Sequence, residues 1–170
     1  MLTAVRTNNR AMALVDDSLA RDRDFVLDAL SYNRPEEPGT LQFVCAELRR
    51  DRDVVLAAVT VNGGNLLYGH RAFCADPDIA LAAVTSEPGS ITEVDYTLRQ
   101  DRDIVLAAVQ QRGSLLAHVG EDMVHDRDVV LSAMRSDGEV LAMVSHSLRS
   151  DPEVVRAAVA RTPHAIRWAM

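Results

Sequence analysis

Six acidic pairs of the form D-x-[DE] punctuate this chain: Asp22 and Asp24, Asp51 and Asp53, Asp76 and Asp78, Asp101 and Asp103, Asp126 and Asp128, Asp151 and Glu153. As chemistry, such pairs would be a ladder of sites for a divalent cation. As structure, they are helix N-caps followed by a first-turn charge, because each stands directly before an apolar run of the type VVLAAV. The residue inside each pair favours the second reading. It is Arg23, Arg52, Arg102 or Arg127, or else Pro77 or Pro152, and Pro is favoured at the first helical position. The caps are therefore assigned to Asp22, Asp51, Asp76, Asp101, Asp126 and Asp151, with no metal site.

Other reactive residues do not gather. The five histidines, His70, His118, His125, His146 and His164, form no H-x-x-x-H or Cys/His ligand set. All 18 basic residues are Arg, which excludes Schiff-base chemistry and any Lys-dependent phosphate loop. No nucleophile-elbow motif occurs, and the Gly63–Gly64 pair belongs to a repeat turn. Cys45 and Cys74 make no disulfide framework and read as small buried thiols in a reducing, intracellular compartment. The start, MLTAVRTNNR, has no long apolar region of a signal peptide, and no uncharged stretch is long enough to span a membrane. The expectation is a chain without cofactor and without enzymatic activity.

The elements that carry these residues are repeats. Counting each leading Asp as position 0, the heads stand at 22, 51, 76, 101, 126 and 151, so the spacing is 29 residues once and then 25. The four extra residues fall in the segment RPEEPG, 34–39, and a truncated copy occupies 1–21. Positions 3, 4, 5, 7 and 8 are apolar over more than half a helical wheel, which predicts a helix enclosed on several sides. The recurring Ala at position 7 (Ala29, Ala58, Ala83, Ala108, Ala133, Ala158) predicts a close helix approach. Gly or Pro at position 12 is read as its stop signal. Apolar residues at positions 15, 18 and 22 then predict a second, shorter helix, which Gly69 at position 18 should weaken. One unit of 25 residues cannot bury enough to stand alone, so each copy is a template for the next. The fold expected over 1–170 is a single all-α domain: an α-solenoid of helix-turn-helix repeats, five full and two partial, stacked right-handed.

The consensus DRDVVLAAVxxNGxxLxxVxxxLRx resembles a helical repeat family of unknown function found in bacteria, protists, algae and large viruses. It is distantly similar to leucine-rich-repeat-variant and HEAT-like arrays. The resemblance covers essentially the whole chain and implies a helical scaffold; it brings no catalytic residues with it.

Binding residues are sought where the repeat does not dictate the side chain. Position 17 holds Leu14, Phe43, Tyr68, Glu93, His118, Met143 and Trp168, and position 20 holds Asp17, Ala46, Arg71, Tyr96, Glu121 and His146. Phe43, Tyr68, Arg71, Tyr96, His118, Met143, His146 and Trp168 are the candidate partner-binding ribbon. The competing reading packs these side chains between neighbouring second helices. Arg21, Arg49, Arg50, Arg99 and Arg149, near the acidic heads, are expected to form an Asp/Arg rim. Met1 falls at position 4 and Met170 at position 19, so both ends are expected to expose stacking surface, open to end-to-end self-association or to a larger assembly.

The function read from the sequence is a non-enzymatic interaction scaffold or accessory subunit with a protein partner. Two alternatives stand beside it: a nucleic-acid-binding HEAT-like array, which needs a continuous Arg face, and a small-ligand or enzymatic pocket on the concave side. The net charge of −7 argues against nucleic acid, although a local basic patch is compatible with it.

Overall fold

The computed structural model describes residues 9–31 and 40–170. The insertion at 34–39 and the first part of the partial repeat, 1–8, lie outside the described residues. The regular elements among those described are all helical, and the fold is an all-α repeat array. Two compact units divide it, Met1–Glu93 and Val94–Met170. The first contains the heads at 22, 51 and 76; the second contains those at 101, 126 and 151.

Each head opens a lead helix: Arg23–Ser31, Arg52–Val61, Pro77–Ser86, Arg102–Gln111, Arg127–Ser136 and Pro152–Arg161. The aspartate at position 0 caps it with one oxygen. Asp51 Oδ1 accepts from the backbone N–H of Asp53 at 3.0 Å and of Val54 at 3.2 Å. Asp22, Asp76, Asp101, Asp126 and Asp151 repeat the pattern. These bonds satisfy donors that a helix start otherwise leaves open. Positions 3, 4, 7 and 8 then form the core; Val54, Val55, Ala58 and Val59 are fully buried, as are Ile79, Ala80, Ala83 and Val84.

The second element differs from the expected short α-helix. Position 11 is extended (Asn62 φ −147°, ψ 111°), although its N–H still reaches the position 7 carbonyl. A 3₁₀ helix follows over positions 12 to 17, as at Gly63–Tyr68, Gly113–His118 and Gly138–Met143. Position 18 is extended again, at Gly69, Val119 and Val144. A last short helical turn, such as Arg71–Ala75 or His146–Arg149, leads to the next cap. Positions 12, 15 and 18 recur every three residues, which is the 3₁₀ period, and such helices stay short because their hydrogen bonds are poorer.

The glycines at position 12 also have a different role from the one their type suggested. The lead helix is already closed at position 11, and no positive-φ residue occurs among those described. A Cβ on Gly63 would instead collide with the carbonyl oxygen of Ala83, position 7 of the next lead helix; Gly113 meets Ala133 and Gly138 meets Ala158 in the same way. Gly113 N–H also donates to Ser136 Oγ at 3.0 Å, and Gly138 N–H to Thr162 Oγ1 at 3.3 Å. At these three junctions the close approach inferred from Ala at position 7 is made against a glycine.

Candidate partner-binding surface

Within each unit the acidic heads are joined by arginine, through position 1. Arg52 Nε donates to Asp76 at 2.7 Å, and its Nη2 donates to Asp76 at 3.0 Å and to Asp78 at 2.6 Å. Arg23 spans Asp51 and Asp53, Arg102 spans Asp126 and Asp128, and Arg127 spans Asp151 and Glu153. Hydrogen bonds from the bridging guanidinium are the main cause holding the carboxyls of Asp51, Asp76 and Asp151 below the usual carboxylate range. For Asp126 the backbone N–H of Val129 is the larger cause and Arg102 adds to it. Each unit thus carries its own run of Asp/Arg bridges, made by other arginines than those expected to form a rim: Arg21 pairs with Glu47 at 3.9 Å, Arg50 is exposed, and Arg49, Arg99 and Arg149 sit half-buried at position 23.

The candidate ribbon is largely in water. Tyr96 is 58% exposed, Met143 46% and Trp168 36%; His118, Arg71 and His146 are also exposed, while Phe43 and Tyr68 are half-buried. Trp168 is engaged on one side. Its Nε1–H donates to Glu139 Oε2 at 3.4 Å, Arg167 Nη2 donates to the same oxygen at 2.7 Å, and the Arg167 guanidinium lies 5.0 Å from the indole centroid. The Trp168 hydrogen bond, then Arg167, lowers the Glu139 pKa from its ordinary value.

A rhythm of two repeats runs through the backbone next to these positions. The carbonyl of Arg49 accepts from His70 N–H at 2.9 Å, that of Arg99 from Gly120 N–H at 2.8 Å, and that of Arg149 from Met170 N–H at 3.1 Å. Each bond ties position 23 of one repeat to position 19 of the next, and each recurs 50 residues later. Position 23 alternates accordingly: Ala20, Arg49, Cys74, Arg99, Val124, Arg149. At the first of these junctions Arg49, Arg50, Tyr68, Gly69, His70 and Arg71 line an open cleft of about 240 Å³. Tyr68 and Arg71 of the ribbon meet there. Phe43 lines a different cleft with Asp17, Arg21 and Glu47. In the last repeat Val155, Val159 and Ile166 line an open apolar cleft of about 490 Å³ with Arg156 and Ala160.

A two-repeat unit is also what comparison with known families finds. The model of a domain family of unknown function, DUF4116, matches residues 76–124 and again 126–170, each match two repeats long and together more than half the chain. The chain belongs to this family. No curated protein and no solved structure matches it. In this DUF4116 array, position 14 went unremarked in the sequence reading although it is buried in six copies, as Thr40, Asn65, Ser90, Leu115, Val140 and Ala165, and half-buried at Ala11 in the truncated one. Asn65 Oδ1 accepts from Leu41 N–H and its Nδ2 donates to the carbonyls of Ala58 and Asn62, all at 3.0 Å. Arg49, Arg50, Gly69 and His70 were not singled out as binding residues either; the period-50 arginine was the available signal. Among the described residues no group of His, Cys, Asp and Glu could hold a metal ion, and no helix is long and apolar enough to cross a membrane.

Proposed function

We propose that the chain is a non-enzymatic protein-interaction scaffold, or an accessory subunit of a larger assembly, which binds a protein partner along the ribbon of positions 17 and 20. One observation carries this reading. Leu14, Tyr96, Met143 and Trp168 keep large apolar side chains in water at the same two repeat positions, while positions 3, 4, 7, 8 and 15 bury theirs in the repeats headed at 22, 51, 76, 101 and 126. Aromatic and Met side chains held at a surface are the usual anchors of a protein interface. The apolar cleft at Val155, Val159 and Ile166 offers a second contact, suited to another helical repeat or a second copy. The thiols of Cys45 and Cys74 fit a reducing, intracellular setting.

Affinity capture of the tagged chain from its native cells, read by mass spectrometry, tests the proposal. The expected result is one partner at near-stoichiometric yield, reduced about tenfold or more by Tyr96→Ala, Met143→Ala and Trp168→Ala combined, with an unchanged melting temperature. Equal yield from the wild type and the triple variant would remove the ribbon as the binding surface.

A further inference from the structure

The cleft between Arg49 and Arg71 carries a charge pattern that its counterparts lack. Four basic side chains line it: Arg49, Arg50, His70 and Arg71. At the junction 50 residues on, Gln100, Gly120 and Glu121 stand where Arg50, His70 and Arg71 stand; at the third junction, Ser150 and Met170 replace Arg50 and His70. Position 18 is Val15, Val44, Val94, Val119, Val144 or Ala169 elsewhere, and only Gly69 omits the side chain. The departure that should have weakened a turn instead lines the cleft.

The donors there are uncommitted. Arg49 Nε is buried without a hydrogen-bond partner, whereas Arg99 Nε donates to the Val94 carbonyl at 2.8 Å. Arg149 shares the unpartnered Nε but not the surrounding cations. Among the described residues Arg49, Arg50 and Arg71 form no salt bridge; Glu47, on which Arg50 exerts a weak Coulombic pull, lies 3.9 Å from Arg21. His70 Nδ1 accepts from Ala72 N–H at 3.3 Å, so Nε2 is the nitrogen left to donate. Three guanidinium forks and an imidazole exceed what one carboxylate neutralises and match a tetrahedral dianion.

We propose that this cleft binds a phosphoryl dianion, borne on a phosphorylated side chain of the protein partner. The source of the dianion rests on the scaffold reading; the anion chemistry rests on the cleft alone. Arg clusters that read phosphorylated segments are a recurring recognition mode.

The test is an amide-resolved NMR titration of the full chain at pH 7.5 with O-phospho-L-serine and with sodium phosphate, using serine and sodium acetate as controls. The expected result is saturable shifts confined to Arg49, Arg50 and Tyr68–Arg71. Affinity should fall about tenfold or more in the Arg50→Gln/Arg71→Gln variant, the scale of losing charge-assisted hydrogen bonds, and stay unchanged in Glu121→Gln. Both replaced arginines are exposed, and an unchanged melting curve confirms that the variant folds. Shifts that do not saturate, lie elsewhere, or survive the double substitution would overturn the site. Tighter binding of phosphoserine than of inorganic phosphate supports a side-chain source; equal binding would overturn that source. No partner enters this titration, so its failure removes the cleft and leaves the ribbon untouched, and a failed capture experiment does the reverse.

Discussion

The unit ending at Glu93 and the unit starting at Val94 are built on one plan. Their heads read DRD, DRD, DPD and DRD, DRD, DPE, so that position 1 supplies two bridging arginines and then a proline in each. They differ at the buried copies of position 14, which are Thr40, Asn65 and Ser90 in the first unit and Leu115, Val140 and Ala165 in the second. They differ again at the paired junction, which is basic around Arg49 and mixed around Arg99. Caps, bridges and the Gly–Ala approach make any such array; the seam and the junction distinguish one stretch of it from another.

The largest expected effect falls on what the units share. Gly113→Val drives a side chain into the Ala133 carbonyl and the Asp137 backbone, and overpacking of this kind costs about 1–3 kcal/mol or more. Gly63→Val should do the same in the other unit. Denaturant unfolding of the full chain measures both, and a neutral result in either would break the common plan.

The next effect sharpens the difference. Asn65→Leu leaves the buried Leu41 N–H without its acceptor, and Val140→Asn puts an amide where an apolar side chain is buried; each should cost about 1–3 kcal/mol. A polar seam that tolerates Leu while the apolar seam tolerates Asn would show that the two seams are interchangeable.

Smaller still is a single cap. Asp76→Ala should cost about 0.5–2 kcal/mol by loss of the cap, whereas Arg52→Gln, on a more exposed group, should change the melting temperature less than Asp76→Ala does. The bridged caps also set a pH dependence. Their folded carboxyl pKa values lie below the unfolded value of about 3.9, so their stabilisation is present above that value and lost as pH falls through the folded ones. Melting curves from pH 6 to pH 2 should show the loss, and Asp51→Asn should flatten it.

Much of this plan is legible in the residues themselves. Caps, enclosed lead helices and the repeat length all follow from local chemistry: an Asp before VVLAAV has one economical role. The 3₁₀ path was less legible, because spacings of three and four both fit the apolar residues at 15, 18 and 22. The glycine at position 12 was misread because its partner, the Ala carbonyl, lies about 20 residues on in sequence. Asn65 at position 14 belongs to no apolar pattern in the sequence, and its place inside shows only in its three hydrogen bonds. The Arg49, Arg99 and Arg149 rhythm is plain in the sequence, but its meaning needs the backbone bond to the following repeat. The ribbon residues are legible as a set only because the repeat leaves their positions free.

Hydrogen exchange of the full chain, alone and with its captured partner, tests most directly the division between fixed scaffold and variable surface. The account predicts new protection at the short segments carrying positions 17 to 20, including Tyr68–Arg71, with the lead helices unchanged. Protection centred on the lead helices, with none at the ribbon, would contradict it.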